Sequence, residues 1–432
     1  MRNINLIYNT YLNNPVVCTD TRTMVKNCVF FCLKGKHYNG NQFADVALRN
    51  GAAMVVTESK VYSHKRNCLV VEDVLLALQL VAAMHRTQIR VPVIAITGTN
   101  GKTTTKELIH SVLSTKYKVF STQGNLNNHI GVPLTLLNVN PKEAQMLVIE
   151  MGANHTGEIA TLCKIVAPEY GLITNIGKAH LEGFGLMENI INTKVALYHA
   201  IRRKHGSIFV NSSDSLLMSL STNCDRVTYG LDGNYSGQFQ KGSFYLNVTI
   251  PKYNQTIHTQ LAGNYNFDNL MASYAIGEYF NVDFENIKAA LENYKPDNHR
   301  SEVIQSNGRL IIVDAYNANP TSMQSAILNL KEIDAQTKVC ILGDMFELGD
   351  KSIAEHQTVV NLLRSMGMQQ IYLLGEHFCA TDAPAEWKYD SKEKLTEALR
   401  LHLPKDATVL LKGSNGMKME QFLNILTNEK SC

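Results

Sequence analysis

The stretch "VPVIAITGTNGKTTTKELIH", Val91 to His110, holds residue types that bind phosphate: an apolar run, two glycines, then Lys-Thr opening a helical pattern. Gly98 and Gly101 let the backbone N–H groups around Thr99 and Asn100 face an anion. The helix N-terminus adds partial positive charge and Lys102 a full one. Thr103, with Thr104 beside it, offers a hydroxyl to a bound Mg²⁺. The spelling is nevertheless unusual. The common pattern G-x-x-x-x-G-K-[ST] requires a glycine where Ile96 stands, so this loop is the shorter one.

A phosphate loop needs an acidic metal partner. In "MLVIEMGANHTGE", Glu150 ends an apolar strand where a Mg²⁺-facing carboxylate would sit. Further on, "ITNIGKAHLEGFG" places Asn175 and His180 after another strand end; a lone loop histidine serves equally as a surface or capping residue. Lys194 is the oddest of the set. Helical spacing groups it with Ile190, Leu197 and Ile201 on a face that should be buried. An unpaired ammonium there is costly, so the side chain either snorkels, meets an anion, or changes its charge covalently.

These residues need a scaffold. At 432 residues the chain exceeds one ordinary core, and two or three domains are expected. A 45% hydrophobic and 18% charged composition excludes a disordered chain. A net charge of +3, with no basic run longer than "IRRKH", gives no footprint for nucleic acid. No long apolar segment or leader-like h-region is read, so a soluble cytoplasmic protein without membrane insertion is expected. Nine scattered cysteines without a C-x-x-C pair read as small buried hydrophobes rather than as disulfides or a zinc site.

Along the chain, residues 1 to about 85 read as a small α/β unit ending in "DVLLALQLVAAMHR". From Val93 strands and helices alternate, which predicts a mostly parallel, doubly wound sheet with ligands at its carboxyl ends. Residues 226 to 261 read as short antiparallel strands, and "FDNLMASYAIGEYF" as a helix. Beyond "NYKPDNHR", the runs "RLIIVDAY", "KVCILGDM", "QIYLLGEH" and "ATVLLKG" supply a second α/β sheet.

The text "TGTNGKTTT" resembles the phosphate loop of the Mur ligases, ATP-dependent amide-forming enzymes of peptidoglycan synthesis, in which the missing glycine is normal. "CTDTRTMVKNCVFFCLKGKHYNGNQFADVALRNGAAMVV", "GNLNNHIGVPLTLL", "ITNIGKAHLEGFG" and "LAGNYNFDNLMA" are similar to further motifs of that family. "DAYNANPTSM", "LGDMFELG" and "KGSNGMKME" resemble the branch that adds D-alanyl-D-alanine to UDP-N-acetylmuramoyl-tripeptide. The resemblance implies three α/β domains: a small UDP-substrate-binding domain at 1–88, a central P-loop ATPase with a mostly parallel sheet at 89–297, and a C-terminal Rossmann-like domain at 298–432 that closes on ATP and binds the dipeptide.

It also implies roles. Gly98 to Thr104 would hold ATP phosphates, and Thr103, Glu150, His180 and Lys194, the last as a CO₂-derived carbamate, would hold one or two Mg²⁺. Asn269 would contact adenine, Asp314 ribose, and Arg300 the γ-phosphate, with Tyr316 nearby. Lys102, Lys194, His180 and Arg300 would form the catalytic set. Thr19, Asp20, Thr21, Arg22, Lys34, Gly35, Asn127 and Asn128 would surround the UDP-substrate, and Asn317 and Asn319 the acceptor. A monomer acting on small molecules is implied. Two departures are visible: Tyr265 stands where the family often has histidine, and Asn415 where an arginine is common. A nucleotide-driven switch and a non-catalytic scaffold are the competing classes; the short loop speaks against the first and the intact set of candidate residues against the second.

Overall fold

The computed structural model describes residues 2–35, 38–296, 299–368 and 370–427. Its strands fall into three main sheets. The first is parallel, in the order Val17–Cys18, Val29–Phe31, Met54–Thr57, Cys68–Val70. Lys34–Gly35 and Tyr38–Asn39 form a separate small antiparallel pair.

The second sheet has seven parallel strands: Tyr235–Ser236, Asp225–Gly230, Ser207–Asn211, Tyr170–Ile173, Val93–Thr97, Met146–Glu150 and Val119–Ser121. Val93–Thr97 and Met146–Glu150 are buried throughout, as a sheet covered on both faces requires. Alternate residues serve different layers. Ile94 and Ile96 pack with Leu108, Ile109 and Leu270 from the helices Lys102–Ser114 and Phe267–Tyr279. Val93 and Ala95 join the opposite layer with Ile159, Leu197 and Ile201 from Glu158–Val166 and Met187–Arg202.

The expected antiparallel stretch at 226 to 261 needs correction. Asp225–Gly230 and Tyr235–Ser236 extend the parallel sheet, and antiparallel pairing begins only with Gln238–Phe239, followed by Tyr245–Ile250 and Gln255–Ala262. The six-residue helix Ser215–Leu220 makes the crossover that lets the chain return parallel, and it is too short to show a period in the sequence.

The third sheet runs Glu302–Ser306, Arg309–Asp314, Ala407–Lys412, Lys338–Gly343, Gln370–Leu374, Lys388–Tyr389, with the first pair antiparallel and the rest parallel. The expected boundary at 297/298 lies outside the described residues. The helix Val74–Arg86 packs on Gly131–Leu137 and Glu158–Val166, clamping the first sheet's unit to the second. Among the described residues no helix is long and apolar enough to cross a membrane. Of the eight described cysteines, all free, five are buried.

Asp268, in the first turn of Phe267–Tyr279, has its carboxyl pushed up to about 6 by burial, against a hydrogen bond from Asn211 and with added repulsion from Asp214. The folded state therefore holds this proton more tightly than the unfolded chain. Stability contributed by the protonated group is lost as pH rises from about 3.8 through about 6. Between about pH 4.5 and about pH 7, Asp268→Asn is expected to gain about 2 kcal/mol relative to the unaltered protein. Urea melts of both at each pH check this; parallel profiles would contradict it.

Candidate active site

The phosphate loop lies at the carboxyl end of Val93–Thr97, between that strand and the helix Lys102–Ser114. Gly98 has φ of 150° and Gly101 φ of 79°. A Cβ on Gly98 would fall 1.9 Å from Thr174 Oγ1, and one on Gly101 2.5 Å from Asn269 Oδ1. Both positions thus require glycine for conformation and for space. The neighbouring loop braces the turn: the Thr99 N–H donates to the Asn175 carbonyl at 2.9 Å and the Asn100 N–H to Asn175 Oδ1 at 3.0 Å. Thr174 Oγ1 and Asn175 Nδ2 both donate to the Asn100 carbonyl, at 2.6 and 3.0 Å.

Lys102 Nζ curls back to the carbonyls of Gly98 and Thr99, at 2.9 and 3.0 Å. Burial lowers its pKa first, Glu150 opposes that, and Arg300 adds repulsion, so Lys102, Glu150 and Arg300 share one electrostatic neighbourhood. Thr103 Oγ1 donates to Glu150 Oε1 at 3.2 Å, and Asn127 Nδ2 donates to the same oxygen at 2.7 Å. Glu150 is 1% exposed, and its Oε2 is buried without a partner among the described residues. A free carboxylate oxygen beside a threonine hydroxyl is a donor set that suits Mg²⁺, with nucleotide phosphates completing the shell.

Lys194 is 4% exposed and donates from Nζ at 2.9 Å to the Gly98 carbonyl, the same oxygen that Lys102 Nζ meets. Burial, then repulsion from Lys102, drives its pKa well below that of an ordinary lysine. Its neighbours Ile190, Val195, Leu197, Tyr198 and Ile201 are buried as the helical spacing predicts. Asn269 lies against the loop's back, accepting from Thr105 Oγ1 at 3.0 Å and donating to Asn266 Oδ1 at 2.9 Å. Thr104 is half-buried in the first turn of the loop helix.

His180 faces a partner that the sequence reading missed. It has φ of 51°, and its Nδ1–H donates to Glu347 Oε2 of the third sheet's unit; Glu347 also has positive φ, 61°. The imidazole holds the Glu347 carboxyl below its usual range. Around this contact the two units are stitched together. Asn319 Nδ2 donates to Asn100 Oδ1 at 2.7 Å, the Lys178 N–H donates to Thr321 Oγ1 at 3.0 Å, and Lys178 Nζ pairs with Glu355 at 2.7 Å. Asn319 also caps the helix Pro320–Glu332 through a capping box, so the helix start is aimed at the phosphate loop. Glu347, Lys178 and Thr321 stood in quoted motifs, but their pairing depends on how the units dock.

Arg300 stacks its guanidinium 3.5 Å from the centroid of Tyr316. It lies between His299 and Ser301, both with positive φ. Tyr265, the residue in place of a family histidine, bonds through its hydroxyl to Ser301 Oγ at 2.6 Å, and so steadies this connection. Asp314 is gripped by buried Lys412 at 2.5 Å, a second partner missed in the sequence; Lys412 Nζ also reaches the Asn317 carbonyl at 3.2 Å. Asn415 is exposed.

The remaining residues lie elsewhere. Thr19, Asp20 and Thr21 are half-buried in the turn after Val17–Cys18, where exposed Arg22 pairs with Asp20. Lys34 bonds Glu58, and Gly35 lies in the small antiparallel pair. Asn128 spends its Oδ1 on the N–H groups of Ile130 and Gly131, at 3.0 and 2.9 Å, which starts the helix Gly131–Leu137, whereas Asn127 points into the Glu150 site.

An α/β protein with three main sheets, a phosphate loop, a neighbouring open carboxylate and a third unit docked over both defines a nucleotide-dependent enzyme of the ligase type. Residues 96–277 match the Mur ligase middle domain, and residues 299–415 the Mur ligase glutamate ligase domain. The UDP-N-acetylmuramoyl-tripeptide–D-alanyl-D-alanine ligase of Bacillus subtilis is 33% identical over 95% of this chain and 92% of its own length. The chain belongs to the Mur ligase family. Solved structures agree. MurF from Acinetobacter baumannii superposes with a TM-score of 0.87 at 30% identity, covering 99% of this chain and 98% of its own. MurF from Thermotoga maritima in complex with ADP gives 0.84 at 28%, covering 95% of this chain and 97% of its own.

Proposed function

We propose that this chain joins D-alanyl-D-alanine to UDP-N-acetylmuramoyl-tripeptide, converting ATP to ADP and phosphate, in cytoplasmic synthesis of peptidoglycan precursors. The observation that carries the proposal is the buried, unpartnered Glu150 Oε2 beside Thr103 and the phosphate loop, with the third sheet's unit tied to the same loop through Asn319. The names of the family relatives supply the substrates.

The chemistry follows from making an amide in water. The γ-phosphoryl of ATP passes to the tripeptide's terminal carboxylate, giving an acyl phosphate, and the dipeptide amine attacks its carbonyl carbon as phosphate leaves. Positioning and charge neutralisation do most of this work. Lys102 leaves the Gly98 and Thr99 carbonyls for phosphate oxygens, and the N–H groups at the start of the helix Lys102–Ser114 add donors. Those of Thr99 and Asn100, expected from the sequence to face the anion, are spent on Asn175. Arg300, held flat on Tyr316, brings a second cation from the connection to the third unit. Thr103 and Glu150 would hold Mg²⁺, joined by Lys194 as a carbamate and by His180 once released from Glu347. Bound there, the ion neutralises charge on the phosphates. Docking of Asn319 and Lys178 across the seam would exclude water that otherwise hydrolyses the acyl phosphate.

Incubation with ATP, UDP-N-acetylmuramoyl-tripeptide and either D-alanyl-D-alanine or single amino acids tests the reading. ADP release coupled to the dipeptide is expected; release only with a single amino acid would overturn it.

A further inference from the structure

Lys106 lies one turn beyond Lys102 on the phosphate-loop helix and has no exposed surface. The mechanism above gives it no task. A buried ammonium is costly unless its protons are answered, and here they are. Its Nζ donates to the Thr122 carbonyl at 2.6 Å and pairs with Glu107 Oε1 at 2.7 Å.

Thr122 leads directly to the metal-binding carboxylate. It is fully buried, its N–H donates to the Val148 carbonyl at 3.1 Å, and its Oγ1 accepts the backbone N–H of Glu150 at 2.9 Å. From Thr122 the chain continues to Asn127. That residue donates from Nδ2 to Glu150 Oε1, and its carbonyl accepts the Gly152 N–H at 2.7 Å. Lys106 therefore grips the root of a loop that holds Glu150 by its backbone at one end and by its side chain at the other. The same helix carries Thr103 against the same carboxylate oxygen.

We propose that Lys106 is a positioning residue for Glu150, acting through Thr122 to keep the carboxylate and the Thr103 hydroxyl in register for the cation. The proposal rests on the ATP–Mg²⁺ reading of the site. Methionine at 106 would retain the length and much of the packing but could not donate to the Thr122 carbonyl. Retention of a buried charge thus has a specific use: it fixes a loop that carries no regular structure between Ser121 and Gly131.

Calorimetric titration of ADP into the full chain, once with excess Mg²⁺ and once with EDTA, separates positioning from bulk damage. In K106M the Mg²⁺-dependent tightening of ADP should fall about 10–100-fold, while ADP affinity in EDTA stays unchanged. Folded K106M with full Mg²⁺ tightening overturns the proposal, and so does an equal loss under both conditions. If K106M does not fold, K106Q, whose shorter amide cannot span to the Thr122 carbonyl, carries the test: lost Mg²⁺ tightening with unchanged affinity in EDTA supports the relay, and retained tightening overturns it. Unaltered protein whose ADP affinity ignores Mg²⁺ would defeat the site reading itself, and the relay with it.

Discussion

Replacing Lys102 by alanine is expected to cut turnover about a thousandfold while UDP-substrate affinity stays within about twofold. The size follows from where the charge sits. Lys102 Nζ is held by two loop carbonyls, so the ammonium waits within the loop rather than in bulk water. Burial already depresses its pKa, which measures how weakly solvent competes for that charge. Charge developing on a transferring phosphoryl group meets a preorganised cation. Lys194 is held on the Gly98 carbonyl and Lys106 is committed to Thr122 and Glu107, so neither takes its place. Of the UDP-substrate residues, Thr19, Asp20, Thr21, Arg22, Lys34 and Gly35 belong to a different sheet's unit, which is why that affinity should survive. Steady-state turnover with saturating ATP, together with calorimetric binding of UDP-N-acetylmuramoyl-tripeptide, checks both halves; near-normal turnover would sink the phosphate-loop assignment.

For Lys194→Ala a loss of about a hundredfold to a thousandfold is expected, partly restored by millimolar formate or acetate. Among the described residues the unmodified side chain has no carboxylate partner: its Nζ meets the Gly98 carbonyl, among buried apolar neighbours and within the field of Lys102. Those conditions favour the neutral amine. A neutral amine can add CO₂ and release a proton, and the resulting anion would turn repulsion from Lys102 into attraction and would offer oxygens to Mg²⁺. Formate or acetate can occupy the space that alanine leaves and supply the same charge. Activity against carboxylate concentration, with a ¹³CO₂-enriched sample of the unaltered protein examined for a carbamate resonance, decides the matter. Undiminished activity in the variant, with no effect of added carboxylate, would remove the carbamate.

Much of this was legible in the residue order. The phosphate loop is written as a strand, two glycines and a helix start within a dozen residues, so local sequence shows where it lies, although Thr174 and Asn175 brace it from about 75 residues away. Glu150 showed itself as the polar end of an apolar run, and Lys194 as a charge on an apolar helical face, because strand and helix periods convert spacing directly into burial. The parallel strand at 225–230 escaped notice because its pairing direction is set by a crossover whose helix is shorter than two turns, and the strand at 235–236 is only two residues long.

By itself, then, the sequence determined which side chains could bind phosphate and metal, which faces would be buried, and which family the motifs belong to. Only the tertiary structure decided who meets whom. His180 with Glu347, Asn100 with Asn319, Asp314 with Lys412 and Lys106 with Thr122 are separated by 167, 219, 98 and 16 residues. No periodicity relates such positions. Their contacts arise from sheet order and from the docking of one unit on another, where a buried donor must find whatever acceptor the packing brings to it.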